Sequence, residues 1–203
     1  MEKRRYTLKD RAAQQDRTRA RILAATVALH QELGPRNTTI KAIAERAGVQ
    51  RLTVYRHFHD DAELFAACTK EWLAHNPPPD PAIWRDVGAW PARLRAALLA
   101  LYGYYRRTAA MWAVSYRDVA DVPALQLPMA SFEAYLDHLR DELLAAAPEH
   151  AARVPVRATI SHCLRFSTWQ SLAMDSAFDE AQIADLAVAW VRAAAAGPAR
   201  TRG

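Results

Sequence analysis

Cysteine, glycine and long apolar runs are all scarce in this sequence of 203 residues, and each shortage excludes a class of protein. The two cysteines, Cys68 and Cys163, make neither a disulfide framework nor a zinc-binding pattern. Six glycines and 51% hydrophobic residues favour a helical globular protein over a disordered or collagen-like chain. Because no apolar run approaches a membrane span and the charged N terminus is unlike a signal peptide, we expect a cytoplasmic protein with no membrane partner.

Sequence motifs of catalysis and cofactor binding are missing as well. The sequence has no GxSxG, no glycine-rich phosphate loop, no HExxH and no CxxC. His162 and Cys163 are adjacent, so they point to different helix faces and do not form a metal site. We therefore predict a protein that is not an enzyme and that uses no cofactor and no metal.

The charge of the chain is unevenly distributed. Residues 1–59 hold 13 Lys or Arg and 5 Asp or Glu, whereas residues 60–203 hold 14 and 17. A basic first segment on a mildly acidic body indicates a polyanion partner for the first segment only.

One stretch, TTIKAIAERAGVQRLTVYRHF at 38–58, has the pattern of two short helices around a tight turn. Thr38 or Thr39 can cap the first helix, since a threonine hydroxyl satisfies a free helical N–H. The apolar residues of this helix recur at helical spacing, and Gly48 follows where a left-handed residue commonly ends a helix. Among the apolar residues of the second helix lie only non-acidic side chains that can donate hydrogen bonds: Gln50, Arg51, Thr53, Arg56 and His57.

This polar face suits the major groove of DNA, which is lined by hydrogen-bond acceptors and flanked by phosphates. Gln50 and Arg51 are the candidate base readers, because glutamine suits adenine and arginine suits guanine. Thr53 can touch a thymine methyl group or a phosphate. For Arg56 the alternative is an ion pair with Glu45 or with an acid of the next helix. From spacing alone, a helical hairpin with a solvated polar face is the competing interpretation.

The segment AERAGVQRLTVYRHF at 44–58 resembles the helix-turn-helix signature of TetR-family repressors. The resemblance continues through RARILAATVALHQELGPRNTTI at 19–40 and HDDAELFAA at 59–67, about the first third of the chain. It implies an all-α fold, with an N-terminal three-helix helix-turn-helix DNA-binding domain and a larger C-terminal helical domain for ligand binding and dimerisation. It also implies that the tyrosine and histidine of the second helix contact phosphates. The candidate DNA-binding residues are Thr38, Thr39, Lys41, Gln50, Arg51, Thr53, Tyr55, Arg56 and His57.

The start of the fourth helix departs from the family pattern. Asp60 and Glu63 make a capping box there. The family often places a lysine beside this cap, where it meets a phosphate, but this chain has Asp61. A carboxylate suits a helix N terminus yet repels phosphate, so the usual contact is not expected from this helix.

The domains are predicted as a flexible basic arm at 1–15, a helix-turn-helix domain at 16–60, a connecting helix at 61–75 and a ligand-binding and dimerisation domain at 76–203. The first helix of the DNA-binding domain is expected at 16–33. The proline-rich segment HNPPPDP at 75–81 marks the boundary. Beyond it we predict helices at 91–107, 109–119, 129–147, 156–174 and 179–196, with Pro123 and Pro128 in a loop.

Aromatic residues are frequent in the C-terminal part, although for each one singly core packing is the simpler interpretation. Trp and Tyr carry polar groups that need partners when they are buried, and aromatic-lined pockets are common small-molecule sites. We hypothesise a site for a small lipophilic or aromatic effector. Its candidate residues are Trp112, Tyr116, Phe132, Tyr135, His162, Phe166 and Trp169.

In the TetR family the last two helices of each subunit form a four-helix bundle with the partner, which here implies the helices at 156–174 and 179–196. One stripe of the last helix is apolar. This spacing fits either a dimer interface or a core within one chain. The predicted homodimer interface contains Ile160, Leu164, Ile183, Leu186, Ala187 and Trp190.

The sequence therefore predicts a repressor that binds a palindromic double-stranded DNA operator as a homodimer and is released by a small effector. Two alternatives stay open. One is a ligand-independent regulator or activator with the same DNA-binding domain. The other is a helical protein-interaction module that does not bind DNA.

Overall fold

The computed structural model describes residues 2–147 and 153–196, with side chains over 10–147 and 154–196. These residues form an all-α structure without strands, which confirms the predicted fold class. Among the described helices none is both long and apolar enough to cross a membrane. The helices are α1 Glu2–Leu33, α2 Ile40–Ala47, α3 Arg51–His57, α4 Asp61–His75, α5 Ala82–Arg85, α6 Trp90–Asp118, α7 Pro123–Ala145, α8 Arg153–Leu164, α9 Phe166–Gln170 and α10 Glu180–Ala196.

The helices pack into two compact units. The first contains the residues up to Pro77 together with Ala110–Met129, and the second contains Pro78–Ala109 and the residues from Ala130 onward. Helices α6 and α7 therefore each contribute residues to both units. The functional division at residue 76 that the sequence suggests stays a prediction.

The first unit contains a small, mostly aliphatic core cluster. The buried side chains of this cluster come from α1, α2, α3 with its C-cap, and α4: Ile22, Leu23, Ala25, Leu29, Ile43, Ala44, Ala47, Val54, Phe58, Leu64 and Cys68. The predicted N-cap of α4 is confirmed, because the Asp60 carboxylate accepts a hydrogen bond from the Glu63 N–H at 2.7 Å. The Glu63 carboxylate in turn accepts from the His59 N–H at 2.7 Å.

Helix α1 is longer than the sequence suggested. We expected an arm without regular structure before residue 16, but the helix begins at Glu2. We expected the arm because no apolar period precedes Ile22. The expectation was wrong about where the helix begins. Residues 2–33 contain neither glycine nor proline and are rich in strong helix formers, so intrinsic propensity extends the helix beyond its packed part.

The middle of the chain also contains fewer breaks than predicted. The two helices expected at 91–107 and 109–119 are one helix, α6. Helix α7 begins at Pro123 rather than after Pro128. Proline suits the first position of a helix, where its missing N–H is not needed. Pro128 lies inside α7, where it removes one backbone hydrogen bond, but buried side chains on both sides of it, such as Leu125 and Met129, keep the helix packed.

Conversely, the single helix predicted at 156–174 is broken at Arg165 into α8 and α9, followed by a π-helical turn at Ser171–Asp175. Side-chain hydroxyls satisfy the carbonyl groups at the break. The Thr168 hydroxyl donates to the His162 carbonyl at 2.7 Å. The hydroxyls of Tyr102 and Tyr105 donate to the carbonyls of residues 163 and 164 at 2.8 and 2.7 Å. The break therefore leaves these carbonyls paired, as buried backbone groups require.

Candidate nucleic-acid interface

The turn between α2 and α3 has the geometry that the sequence predicted. The Thr39 hydroxyl accepts a hydrogen bond from the Ala42 N–H at 3.2 Å and so caps α2. Gly48 ends this helix in the left-handed conformation, with φ 64° and ψ 42°. The Val49 N–H then donates to the Ala44 carbonyl at 2.9 Å, which closes the turn. These contacts fix the direction in which α3 leaves α2.

Helix α3 has one buried face and one exposed polar face. Val54 and Phe58 are each only 1% exposed and hold the helix on the core of the first unit. Gln50, Arg51 and Arg56 are exposed, and Tyr55 keeps 42% of its surface accessible. Thr53 and His57 are half-buried at the edge of this face. The predicted base readers thus project from the first turn of α3, the part of a recognition helix that contacts bases.

Sequence reasoning missed one residue of this face. Leu52 follows Arg51 in the first turn of α3 and is 59% exposed. An apolar side chain in this place can contact the methyl group of a thymine in the major groove. The available signal was spacing, because Leu52 falls outside the apolar set of Val54 and Phe58 that packs on the core.

The residues predicted around the start of α2 differ in their hydrogen bonding. The Thr38 hydroxyl donates to the Gly34 carbonyl at 2.9 Å, so its hydrogen is already used within the protein. Thr39 accepts in its capping bond, which leaves its own hydroxyl hydrogen available to a phosphate. Lys41 is exposed, with its Nζ 3.9 Å from the Glu45 carboxylate. Of the two threonines, Thr39 is therefore the one whose hydroxyl hydrogen is not used in a hydrogen bond to the Gly34 carbonyl.

Ion pairs divide the basic residues of this region into two groups. Arg46 forms a bidentate pair with Glu32 at 2.8 and 2.7 Å, and Arg36 pairs with Asp121 at 2.7 Å. The Arg46 guanidinium also lowers the pKa of the Glu32 carboxyl. In the described part of the chain no carboxylate lies within 4.0 Å of Arg56, so the alternative pairing with Glu45 is not found. Arg51 and Arg56 remain available to DNA.

The end of α6 is bonded to the segment that precedes α2, within the first unit. The buried Asp118 carboxylate accepts from the Arg36 N–H at 3.2 Å and from the Arg117 guanidinium at 2.7 and 3.0 Å. Arg117 also donates to the Leu33 carbonyl at 3.0 Å. Gly34 lies against this pair with φ 85°, and a Cβ there would be 2.0 Å from Arg117 Nη2. We call these residues the Asp118 cluster: Leu33, Gly34, Arg36, Arg117 and Asp118.

His30, at the position where the resembled family usually has an aromatic residue, is a core residue. Its ring packs on Phe65 with a centroid distance of 5.3 Å, and its Nδ1 lies 3.7 Å from the Cys68 sulfur. Burial lowers the pKa of the His30 imidazole from 6.5 to about 4, and the nearby charge of Asp118 opposes this shift. The imidazole is therefore neutral at physiological pH and serves packing.

The predicted effector residues fall into separate groups. In the second unit, Phe132, Phe166 and Trp169 surround the ring of Tyr105, with centroid distances of 6.2, 5.3 and 5.8 Å. Tyr105 was missing from the prediction. Tyr135 stacks on Phe132 at 5.8 Å. We call Tyr105, Phe132, Tyr135, Phe166 and Trp169 the aromatic cluster.

The other three predicted effector residues lie outside the aromatic cluster. His162 is exposed, and its ring lies 6.4 Å from that of Trp190, so the structure does not bring it into the aromatic cluster. In an unbroken helix through residue 174, His162 would share one face with Phe166 and Trp169. The break at Arg165 puts His162 on α8 and the other two on α9. Trp112 and Tyr116 belong to the first unit, where Trp112 packs edge-on against Trp72 at 5.9 Å.

Most of the predicted dimer stripe is covered within the single chain. Ile160, Leu164, Ile183 and Ala187 are at most 1% exposed. Helices α8 and α10 pack against each other, so these side chains face that contact and offer no accessible surface to a partner. Leu186 and Trp190, which are half-buried, are the predicted members that keep accessible surface.

Comparison with known proteins gives a match in the first unit and a shared fold over most of the chain. Residues 22–68 match the family model described as bacterial regulatory proteins, tetR family. No curated protein is similar enough to match the sequence.

Solved structures share the fold at low sequence identity. A TetR-like transcriptional regulator from Rhodococcus sp. RHA1 is 23% identical, with a TM-score of 0.67 over 89% of this chain and 97% of that one. A TetR-family regulator from Syntrophomonas wolfei is 13% identical, with a TM-score of 0.63 over 91% and 97%. FadR from Bacillus subtilis, solved in complex with stearoyl-CoA, is 15% identical, with a TM-score of 0.61 over 86% and 98%.

Proposed function

We propose that this chain, whose residues 22–68 match the family model of bacterial regulatory proteins of the tetR family, is a TetR-family repressor that binds a palindromic operator as a homodimer. The observation that carries this proposal is the exposed face of α3. Gln50, Arg51 and Leu52 project from its first turn while Val54 and Phe58 hold it on the core. Together these side chains offer an amide, a guanidinium and an apolar group to the edges of bases.

In this proposal the nine predicted residues divide by role. Gln50 and Arg51 read bases, with Leu52 added as a contact to a thymine methyl. Thr39, Lys41, Tyr55, Arg56 and His57 contact phosphates, which orient the protein without specifying sequence. Thr53 can take either role, since it can touch a thymine methyl group or a phosphate. Thr38 supports the turn through its bond to the Gly34 carbonyl and does not itself bind DNA.

Footprinting on the DNA that flanks the reading frame of this protein tests the proposal, because regulators often control neighbouring genes. We expect a protected palindrome in the presence of the wild-type chain. Arg51→Ala should weaken binding to that site by about 1–3 kcal/mol, roughly 5- to 150-fold, and Leu52→Ala should act mainly at a thymine position. Both side chains are exposed, so the melting temperature of each variant should match the wild type. Retained sequence-specific binding by Arg51→Ala would remove this residue from the proposed site.

The homodimer places two recognition helices about 34–36 Å apart, one turn of DNA. Leu186 and Trp190 keep accessible surface on α10 and support a partner contact there. The mass in solution, measured by light scattering on the full chain, checks this point. A stable monomer at micromolar concentration would contradict the proposed dimer.

The proposed effector is a small lipophilic or aromatic molecule that binds at the aromatic cluster. Among the described residues, the Trp169 Nε1 group is fully buried and has no hydrogen-bond partner, so it can donate to an acceptor atom of a ligand. That FadR from Bacillus subtilis was solved with stearoyl-CoA supports testing lipophilic compounds first. The effector releases DNA only if it binds the DNA-free conformation more tightly, so DNA must weaken effector binding by the same factor.

A screen for compounds that release the footprinted DNA separates the proposal from its alternatives. Release by a lipophilic compound supports a regulated repressor. A footprint that no compound changes favours a ligand-independent regulator, and a regulated gene whose expression falls in a deletion strain favours an activator. The absence of any DNA binding favours a protein-interaction module.

A further inference from the structure

The net positive charge of the chain lies at its N terminus. Residues 1–21 hold eight Lys or Arg and three Asp or Glu, a net charge of +5. Residues 22–203 hold nineteen of each sign, so the +5 of the whole chain equals the charge of its first 21 residues. The long-range attraction of this protein to a polyanion therefore originates mainly in this short segment.

The helix-turn-helix itself has few free cations. Arg36 and Arg46 are held in ion pairs with Asp121 and Glu32. Lys41 has the Glu45 carboxylate 3.9 Å from its Nζ. The first turn of α4 adds the negative charge of Asp61. Neutralisation of phosphates supplies much of the affinity of DNA-binding proteins. Of the five Lys or Arg residues at 22–58, Arg51 and Arg56 are the two without a carboxylate within 4.0 Å among the described residues.

The basic N-terminal half of α1 begins from a contact with the end of α3. The Arg19 guanidinium lies 4.7 Å from the centre of the ring of Phe58, the residue that caps the end of α3. From Arg19 the same helix continues to Glu2, about 25 Å at 1.5 Å per residue. All side chains at 10–17 are exposed. A basic helical segment thus begins next to the recognition helix, and its described side chains are accessible.

We propose that residues 2–17 of α1 form a second DNA-binding surface, which contacts the phosphates that flank the site read by α3. The inference rests on the proposed DNA-binding function and adds a source for most of its electrostatic affinity. The partner is the same DNA duplex, because the segment starts at the end of the recognition helix. Contacts of this kind strengthen binding to every sequence, whereas α3 selects the sequence.

The test measures the affinity of the full chain for a pool of 30-bp duplexes of random sequence as a function of NaCl concentration. In the test variant five cations of the segment are replaced by glutamine, a good helix former that preserves α1. In the control variant five exposed cations elsewhere are replaced, so that both variants lose the same charge. The test substitutions are Lys3→Gln, Arg4→Gln, Arg5→Gln, Lys9→Gln and Arg11→Gln. The control substitutions are Lys70→Gln, Arg85→Gln, Arg107→Gln, Arg157→Gln and Arg192→Gln.

Each phosphate contact contributes about 0.9 to the slope of log affinity against log salt concentration. We expect the test variant to lose about 2–4 from this slope and to bind at least about tenfold more weakly at 0.1 M NaCl. The control variant should keep the wild-type slope, and both variants should keep the wild-type melting temperature. A test variant with the wild-type slope, or a control variant with an equal loss, overturns the inference.

Two further outcomes are distinguished by the same samples. A wild-type chain that binds no duplex overturns the proposed function and this inference together. A wild-type chain that binds DNA, combined with an unchanged slope in the test variant, overturns only the inference. Vesicles with anionic phospholipids provide the remaining comparison: if the test substitutions abolish vesicle binding but leave DNA binding intact, the segment serves a membrane surface and the proposal is wrong.

Discussion

The two units of this protein differ in the polar groups that they bury. The first unit encloses the imidazole of His30 and the carboxylate of Asp118, both ionisable groups. In the described residues of the second unit, the buried polar groups are the neutral hydroxyls of threonine and tyrosine and the Nε1 groups of tryptophan, apart from the thiol of Cys163. Burial of ionisable groups makes the stability of a fold depend on pH, whereas burial of hydroxyls does not at neutral pH. The units should therefore respond differently to acid and to substitution.

The buried polar groups of the two units bond to different segments of the chain. The Asp118 cluster holds the segment before α2 with hydrogen bonds that involve a charge, which are stronger than neutral ones. The tyrosines of α6 instead complete the hydrogen bonding of a broken helix. The Asp118 cluster holds the segment that leads into the proposed DNA-binding surface, and the tyrosine hydroxyls hold the broken helix beside the aromatic cluster.

Gly34→Ala should produce the largest loss of stability, and this loss should fall on the first unit. The new Cβ would meet Arg117 Nη2 at 2.0 Å and Asp118 Oδ2 at 2.4 Å, at a backbone φ of 85° that favours glycine. We expect a loss of about 2–4 kcal/mol in the free energy of unfolding, measured by urea denaturation. Gly88→Ala is the matched control, because its new Cβ would have no neighbouring atom within 4 Å and its φ lies outside the left-handed range. Equal stability of the two variants would show that the Asp118 cluster does not constrain this loop.

Acid should destabilise the first unit more than the second. The pKa of His30 is about 4 in the fold and 6.5 when unfolded, so between these values the unfolded chain binds more protons. The stability that neutral His30 provides is complete above pH 6.5 and is lost as the pH falls toward 4. At pH 5 the loss is about 2 kcal/mol relative to pH 7.5.

His30→Phe should reduce the difference in the free energy of unfolding between pH 7.5 and pH 5. The measurement is the free energy of unfolding at both pH values and one protein concentration, since dimerisation would also contribute. Hydrogen exchange at pH 5 should show earlier opening of α1 and α4 than of α8. Uniform opening of all these helices would contradict the contrast between the units.

Tyr105→Phe should produce the smallest of the three changes and affects the second unit. It removes the hydroxyl that donates to the Leu164 carbonyl at 2.7 Å and leaves that acceptor buried without this donor. We expect a loss of about 1–2 kcal/mol, independent of pH between 5 and 7.5. Tyr55→Phe, on the exposed face of α3, is the control and should be neutral for stability. An effect of Tyr105→Phe that varies with pH in this range would mean that the second unit also depends on an ionisable group.

Short segments whose structure depends on neighbouring residues could be predicted from the sequence. The cap at Thr39, the left-handed Gly48, the N-cap of α4 and the exposure of Gln50 and Arg51 all follow from local patterns. The determinants lie within about four residues of each other, so no distant contact is needed to infer them. Leu52 was missed because the apolar spacing was read only for the core.

Features that depend on distant side chains could not be predicted in this way. Whether the helix after residue 153 continues past Arg165 depends on hydroxyls about sixty positions earlier in the chain. The apolar stripe of α10 has the same spacing whether it faces α8 or a second subunit. The structure buries four of the six predicted interface residues within the single chain. The aromatic cluster likewise depends on contacts between rings from different helices, which residue spacing does not give. For this reason the prediction omitted Tyr105 and included His162.

The sequence by itself determined the helical class of this protein, the helix-turn-helix and the concentration of positive charge in its first 21 residues, because composition and local spacing encode these properties. Tertiary structure decided which of its arginines are free, which apolar stripe is interior and where the long helices break. Those outcomes depend on the energy of contacts between residues far apart in the chain, and a pattern of three- and four-residue spacing does not contain that information.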